Sequence, residues 1–241
     1  MAKFLRHTSC PQCGSRDNLG EYDDGSAYCF GCHFSKPADK SRYVTEREGS
    51  THPVEAGLPR VLGTTSYDPR CIQGWTTCGC GVEELLLFGA RWDSDREQLN
   101  YPLRNLRGET VAIQSRNYNQ SRSKTQKYFN QGKLEEAFPI VKSKHPVFGR
   151  RLVITEDILS SIKIGRQCDS MAALGTSLPA HKMSALAPLY ESVRVWLDSD
   201  KWRESMHIAD SFKWLGLSAK SVYSDLDPKY YSNEEITEFI K

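Results

Sequence analysis

The stretch Arg194-Val-Trp-Leu-Asp-Ser-Asp200, RVWLDSD, runs through three apolar residues and then sets down two carboxylates two positions apart. In an extended strand such neighbours project from the same face. Asp198 and Asp200 would then crowd negative charge at a strand end, which is unfavourable unless a cation sits between them. Hard oxygen ligands of this kind suit magnesium or manganese. The competing reading is helix capping, because Asp is favoured just ahead of a helix and Lys201-Trp202 begins one. Capping could use one of the pair but leaves the other acids of this region without a task.

Working outward, the same rhythm fills residues 152–241. Leu152–Thr155, Met171–Leu174, Val193–Leu197 and Ala219–Tyr223 read as short buried strands. Helices are expected over Ile158–Gln167, Pro179–Tyr190 and Trp202–Leu215, and from Asn233 onward. Strands alternating with helices imply a largely parallel sheet covered by helices, with ligands gathered at the carboxyl ends of its strands. At that edge stand Glu156 after the first strand, Asp198 and Asp200 after the third, and Asp225 and Asp227 after the fourth.

Upstream, residues 84–130 read as strands: Glu84–Phe88, Gln98–Leu103 and Thr110–Arg116, the last two joined by a turn at Arg107-Gly108-Glu109. A basic, aromatic-bearing segment follows, with Arg116, Lys124, Lys127, Tyr128 and Phe129. Charge is segregated accordingly. Residues 101–151 hold eleven Lys/Arg against three Glu, a net of +8, while residues 1–100 and 152–241 each carry −3 within an overall +2. A basic middle beside acidic ends suits a polyanion, although solvated surface charge gives the same count.

The N-terminal region is governed by cysteine. Cys10-Pro-Gln-Cys13 and Cys29-Phe-Gly-Cys32 are two C-x-x-C knuckles fifteen residues apart. Each knuckle can face two sulfurs toward one ion, so the four define a closed, structural tetrahedral zinc site. Between them, strands around Asp23-Asp24-Gly25 read as a hairpin, and residues 1–36 as a β zinc ribbon. His7 and His33 are expected at its surface. Residues 37–59 are polar and proline-bearing, the composition of a linker. Cys71, Cys78, Cys80 and Cys168 are read as plain thiols. Hydrophobic content of 39% and charged content of 26% are those of an ordinary globular chain. No apolar run is long enough for a membrane span, and MAKFLRHTSC lacks the apolar core of a signal peptide, which points to a cytoplasmic protein.

These parts, in this order, resemble bacterial-type DNA primases, and most nearly the primase half of phage primase–helicases. VITE ending in Glu156 is similar to the glutamate-bearing strand of the Toprim fold, LGTSL at 174–178 to the strand and turn that follow, and VWLDSD to its paired-aspartate strand. SDLDPKYYSNEE resembles the later loop in which an aspartate precedes a proline, which favours Asp227 over Asp225. SRNY at 115–118, QKYFN at 126–130 and FGR at 148–150 are similar to motifs of the primase RNA-polymerase core. The resemblance implies an α+β, α/β multidomain chain: a zinc ribbon over 1–36, a linker over 37–59, a basic mixed α/β subdomain over 60–151 and a Toprim-like sheet over 152–241.

It further implies a metal-dependent nucleotidyltransferase that makes short RNA primers on single-stranded DNA from ribonucleoside triphosphates. Glu156, Asp198, Asp200 and Asp227 would hold Mg²⁺ or Mn²⁺, Arg116, Lys127 and Lys124 would meet phosphate, and Cys10, Cys13, Cys29 and Cys32 would hold Zn²⁺. The setting would be the cytoplasm of a bacterium or a phage-infected host. Two departures stand out. Glu156 is followed by Asp157 rather than glycine, and Ser160 stands where the Toprim pattern carries a further aspartate. No G-x-x-x-x-G-K-[ST] loop is present, so a separate helicase and a DNA polymerase are the expected partners. The same acids also fit a Toprim nuclease, and a catalytically silent zinc-ribbon DNA-binding adaptor is the non-enzymatic alternative.

Overall fold

Knuckles of cysteine cannot bury much apolar surface, so the N-terminal unit is built around its sulfurs. The computed structural model describes residues 3–30, 32, 34–36, 59–119 and 126–241. The expected linker up to residue 58, together with His33 and Lys124, lies outside the described residues. The chain divides into a unit over Met1–Glu55 and a larger one over Ala56–Lys241. In the first, β1 (Phe4–Thr8), β2 (Leu19–Tyr22), β3 (Ala27–Cys29) and β4 (Ser35–Lys36) form an antiparallel sheet in sequential order. The expected hairpin joins β2 to β3, its turn fastened where Asp24 Oδ1 accepts the Ser26 N–H at 2.9 Å. Cys10, Leu19, Ala27 and Cys29 make the small core, against which Phe34 packs.

The larger unit starts with two short helices. Helix α1 (Pro69–Thr76) begins on Asp68, whose carboxylate accepts the Arg70 N–H, and on a proline at its first turn. Helix α2 (Val82–Phe88) occupies a stretch expected to be a strand. A short apolar run leaves helix and strand undecided by period alone, and here the ends decide. Glu84 reaches back to accept the Gly81 N–H at 2.8 Å, and Gly89 closes the last turn at φ +86°, a left-handed conformation suited to glycine. Only Leu85 of this helix is fully buried, with Leu86 and Leu87 left exposed.

A four-stranded antiparallel meander follows, β5 (Arg91–Asp93), β6 (Gln98–Arg104), β7 (Thr110–Asn117) and β8 (Tyr128–Gly132). The expected turn between β6 and β7 is closed by the Gly108 N–H on the Asn105 carbonyl at 3.0 Å. Along β6, Leu99, Tyr101 and Leu103 enter a core shared with Ile158 and Ile162. Gln98 and Asn100 occupy the alternate positions, paired with Asn117 and Ser115 of β7.

The second sheet contains β9 (Ile140–Val141), β10 (Arg151–Thr155), β11 (Asp169–Ala172), β12 (Ser192–Val195) and β13 (Ser218–Ser221), in the order β13-β12-β10-β11-β9. The last four run parallel, as the alternation requires, and β9 closes the edge antiparallel. Helices α3 (Ile158–Ile164), α4 (Ala180–Leu186) and α5 (Trp202–Trp214) connect successive strands, and α6 (Asn233–Phe239) ends the chain. Helix α5 buries Ser205, Ile208, Ala209 and Phe212, one stripe at helical spacing. Trp196 is fully buried, donates to Ser224 Oγ at 2.7 Å and packs against Tyr231 and Phe239. The chain leaves β10 toward β11 and crosses back to β12, so strand order reverses between neighbours β10 and β12. A crevice opens at the carboxyl ends of such a pair. No helix among the described residues is long and apolar enough to cross a membrane.

Candidate active site

That crevice receives Glu156 from the end of β10 and Asp198 from the chain just past β12. Asp227 arrives from the loop after β13, immediately ahead of the short 3₁₀ turn Pro228–Tyr230. The side chains of Glu156, Asp157, Asp198, Asp227 and Lys229 line a cleft of about 510 Å³. Arg116 and Gln114 of β7, Tyr128 at the start of β8 and Lys127 just ahead of it line the same cleft. Arg116 lies over the rings of Tyr118 and Tyr128 at 5.1 and 5.7 Å, and Lys127 over Tyr128 at 5.6 Å. Acid and base thus meet in one cleft, although the residues come from different sheets.

The paired aspartates are disposed differently from the extended strand that their spacing suggests. The β12 ladder ends at Val195, and Ser199–Lys201 is a 3₁₀ turn. The two carboxylates part company: Asp198 lines the cleft, whereas Asp200 is 70% exposed and paired with Lys201. Neither makes a side-chain capping bond to the helix that follows, so capping does not account for them. Asp200 is still near enough for its charge to act on Glu156.

Electrostatics single out Glu156 and Asp198. Glu156 Oε2 and Asp198 Oδ1 are buried and accept no hydrogen bond. Burial is the largest influence on Asp198 and pushes its carboxyl up to about 6, with Asp157, Asp227 and Glu156 repelling in the same sense and Lys229 opposing. Burial, then Asp157 and Asp200, raises Glu156 as well. Two orphaned, hard oxygen donors under mutual repulsion fit a divalent cation.

Sequence reasoning overlooked Lys229 and noted Asp157 only as a departure from the Toprim pattern. The Lys229 ammonium donates to Asp157 Oδ2 and to Asp227 Oδ2, each at 2.9 Å, and lies 3.8 Å from Asp198 Oδ1. Burial works against its charge, but these three carboxylates hold its pKa above the usual lysine value. Asp157 Oδ1 accepts the Ser160 N–H at 2.7 Å and so caps α3. Asp227 Oδ1 accepts the Ser199 N–H at 3.3 Å. Both oxygens of Asp157 and of Asp227 are therefore engaged. Ser160 is fully buried within α3. The only available signal for Lys229 was its place two residues after Asp227.

The cysteine cluster has the opposite geometry. The sulfurs of Cys10, Cys13, Cys29 and Cys32 all lie within 4.8 Å of one another, with Cys10–Cys32 and Cys13–Cys29 at 3.7 and 3.8 Å. Thiolates at this separation fit one tetrahedral zinc ion. Among the described residues no other group of three or more Cys, His, Asp or Glu closes to that spacing, the cleft acids included. Cys71, Cys80 and Cys168 are buried, and burial pushes their thiols up to about 11, 11 and 12. Cys78 is buried too, at the edge of the cleft.

No protein-family model matches the sequence, and no curated protein matches it either. Solved structures do. The fold is similar to the primase fragment of the bacteriophage T7 primase–helicase, at 17% identity and a TM-score of 0.52, over 99% of this chain and 100% of that one. It is similar to the zinc-binding and RNA-polymerase domains of the Aquifex aeolicus primase, at 13% identity and a TM-score of 0.62, over 99% and 80%. The DnaG catalytic core matches at 15% identity and a TM-score of 0.53, over 71% and 70%. Likeness at such identities is one of fold. With a four-cysteine ribbon followed by an antiparallel meander and a largely parallel sheet, this chain carries the fold of the phage and bacterial DNA primases.

Proposed function

We propose that the protein is a DNA primase that joins ribonucleotides on a single-stranded DNA template. The observation that carries this reading is the cleft itself, which brings unsatisfied carboxylate oxygens of Glu156 and Asp198 together with Arg116 and Lys127. A nucleoside triphosphate needs both sets of groups, since its phosphates bring negative charge to acids that cannot hold it without cations. Magnesium or manganese held by Glu156 and Asp198, with Asp200 nearby, would acidify the attacking hydroxyl and neutralise charge developing on the phosphates. The primer 3′-hydroxyl attacks the α-phosphorus, a P–O bond forms, and pyrophosphate leaves as the bond to the β-phosphate breaks.

Arg116 is suited to the triphosphate because Tyr118 and Tyr128 hold its guanidinium fork over their rings. Lys127 supplies a second, more mobile charge beside it. In the ribbon, Phe30 is 55% exposed and forms an aromatic row with Tyr28, His7, Phe4 and Tyr22. Phe34 packs on the ribbon's small core instead. Exposed rings stack on unpaired bases, which suits contact with template. The reaction would serve DNA replication, with a helicase and a DNA polymerase as partners.

The test is synthesis of labelled RNA from ribonucleoside triphosphates on single-stranded DNA with Mg²⁺ or Mn²⁺. Short RNA is the expected product. Shortening of labelled DNA without nucleotides would instead identify a nuclease, and DNA binding with neither product an adaptor.

A further inference from the structure

Lys229 sits among the acids of the cleft, and the reaction above leaves it without a task. Its side chain is only 13% exposed, and its ammonium is gripped by carboxylates from three separate segments. Asp157 comes from the start of α3, Asp198 from beyond β12, and Asp227 from beyond β13. An ammonium has three N–H donors, and here two are spent on Asp157 and Asp227 while Asp198 stands at 3.8 Å. Each oxygen of Asp157 and Asp227 already accepts a hydrogen bond, because the Ser160 and Ser199 N–H groups occupy the two that the lysine does not. The acids left with unsatisfied oxygens are Glu156 and Asp198. Negative charge in this cleft is thus divided into a part already balanced by the chain and a part that is not.

We propose that Lys229 is a resident cation that fills one of two cation places between these carboxylates, so that the protein takes a single divalent ion, on the Glu156–Asp198 side. Asp157 and Asp227 are then positioning residues for the lysine and not ligands of the ion. The inference rests on the metal-dependent reading of the cleft and deepens it. A fixed ammonium offers no exchangeable water and no Lewis acidity, but it holds Asp198 in place and meets phosphate negative charge without having to be recruited.

The experiment counts Mn²⁺ bound by the full-length, zinc-loaded protein, by electron paramagnetic resonance of the free ion. Zinc stays on its thiolates, which manganese does not displace. Wild type is expected to bind one ion tightly, Lys229→Ala two, and the charge-preserving Lys229→Arg one. Two tight ions in wild type, or no gain in Lys229→Ala, would overturn the inference and leave the metal reading standing. No tight Mn²⁺ in any of the proteins would remove the metal reading itself and the inference with it. Should Lys229→Ala fail to fold, Asp227→Asn and Glu156→Gln decide. Asp227→Asn is expected to keep its ion while Glu156→Gln loses it; equal loss in both would overturn the assignment of Asp227 to the lysine.

Discussion

The cysteine cluster and the acidic cleft hold charge in opposite ways. Four sulfurs from two local knuckles already stand within 4.8 Å of one another, around a centre that one tetrahedral ion would fill. The acids of the cleft come from three strand ends, do not close to that spacing, and part of their charge is met by Lys229. A closed site has no room for a reactant and serves the fold. An open one keeps unsatisfied oxygens beside basic side chains, and on the proposed reading a cation and a phosphate-bearing ligand satisfy them.

The largest effect should come from breaking the closed site. Cys29→Ser, or chelation of zinc, is expected to unfold the ribbon, because binding free energies on the order of 10–16 kcal/mol are folding free energy in such modules. Zinc content and amide-proton exchange over residues 3–36 would read this, while the unit over 56–241, with its own cores, keeps its melting transition. Unchanged protection in the ribbon after zinc removal would erase the contrast between the two sites.

Next comes the open site. Asp198→Ala is expected to lower primer synthesis by on the order of 10³-fold without loss of fold. Steady-state synthesis together with circular dichroism would check both halves of that statement, and retention of most activity would detach Asp198 from the chemistry. Arg116→Ala should act more weakly, lowering kcat/KM for nucleotide by roughly 10- to 100-fold, mostly through KM. Arg116→Lys should recover little, since a lysine cannot reproduce the fork held between Tyr118 and Tyr128. Full recovery would reduce that contact to a matter of charge alone.

The smallest effect is a pH dependence of stability. Folding raises the Asp198 carboxyl from its ordinary value to about 6. The folded state therefore binds this proton more readily than the unfolded chain, and ionised Asp198 costs stability above pH 6. That cost fades as pH falls through 6 and vanishes below the unfolded pKa. Without divalent ions, Asp198→Asn should accordingly be more stable than wild type at pH 8, by about 1–2 kcal/mol after solvent screening, and no more stable at pH 4. Thermal melts at the two pH values test this. A gain of equal size at both would trace it to packing instead of charge.

Much of this architecture could be read from the chain. The C-x-x-C spacing is a local constraint, and the structure brings those four cysteines together. The hairpin between them, the β6–β7 hairpin and the parallel strands with their helices also follow from local pattern. The Glu84–Phe88 run shows where pattern runs out. Its leucines allow either state, and only the Glu84 contact with Gly81 and the glycine at 89 settle on a helix. Asp198-Ser-Asp200 shows the same limit in a different form: spacing two puts side chains on one face only while the backbone stays extended, and here it turns.

By itself the sequence determined the ribbon and its four clustered cysteines, the alternation that yields a parallel sheet, and the presence of acids at strand ends, because each depends on neighbours a few residues apart. Tertiary structure alone decided which acids are left unsatisfied. Lys229 reaches Asp157 across 72 positions, and its ammonium meets Asp227 and Asp198 only once three strand ends are side by side. Charge balance between groups so distant along the chain has no period and no spacing, so it is written only in the folded arrangement.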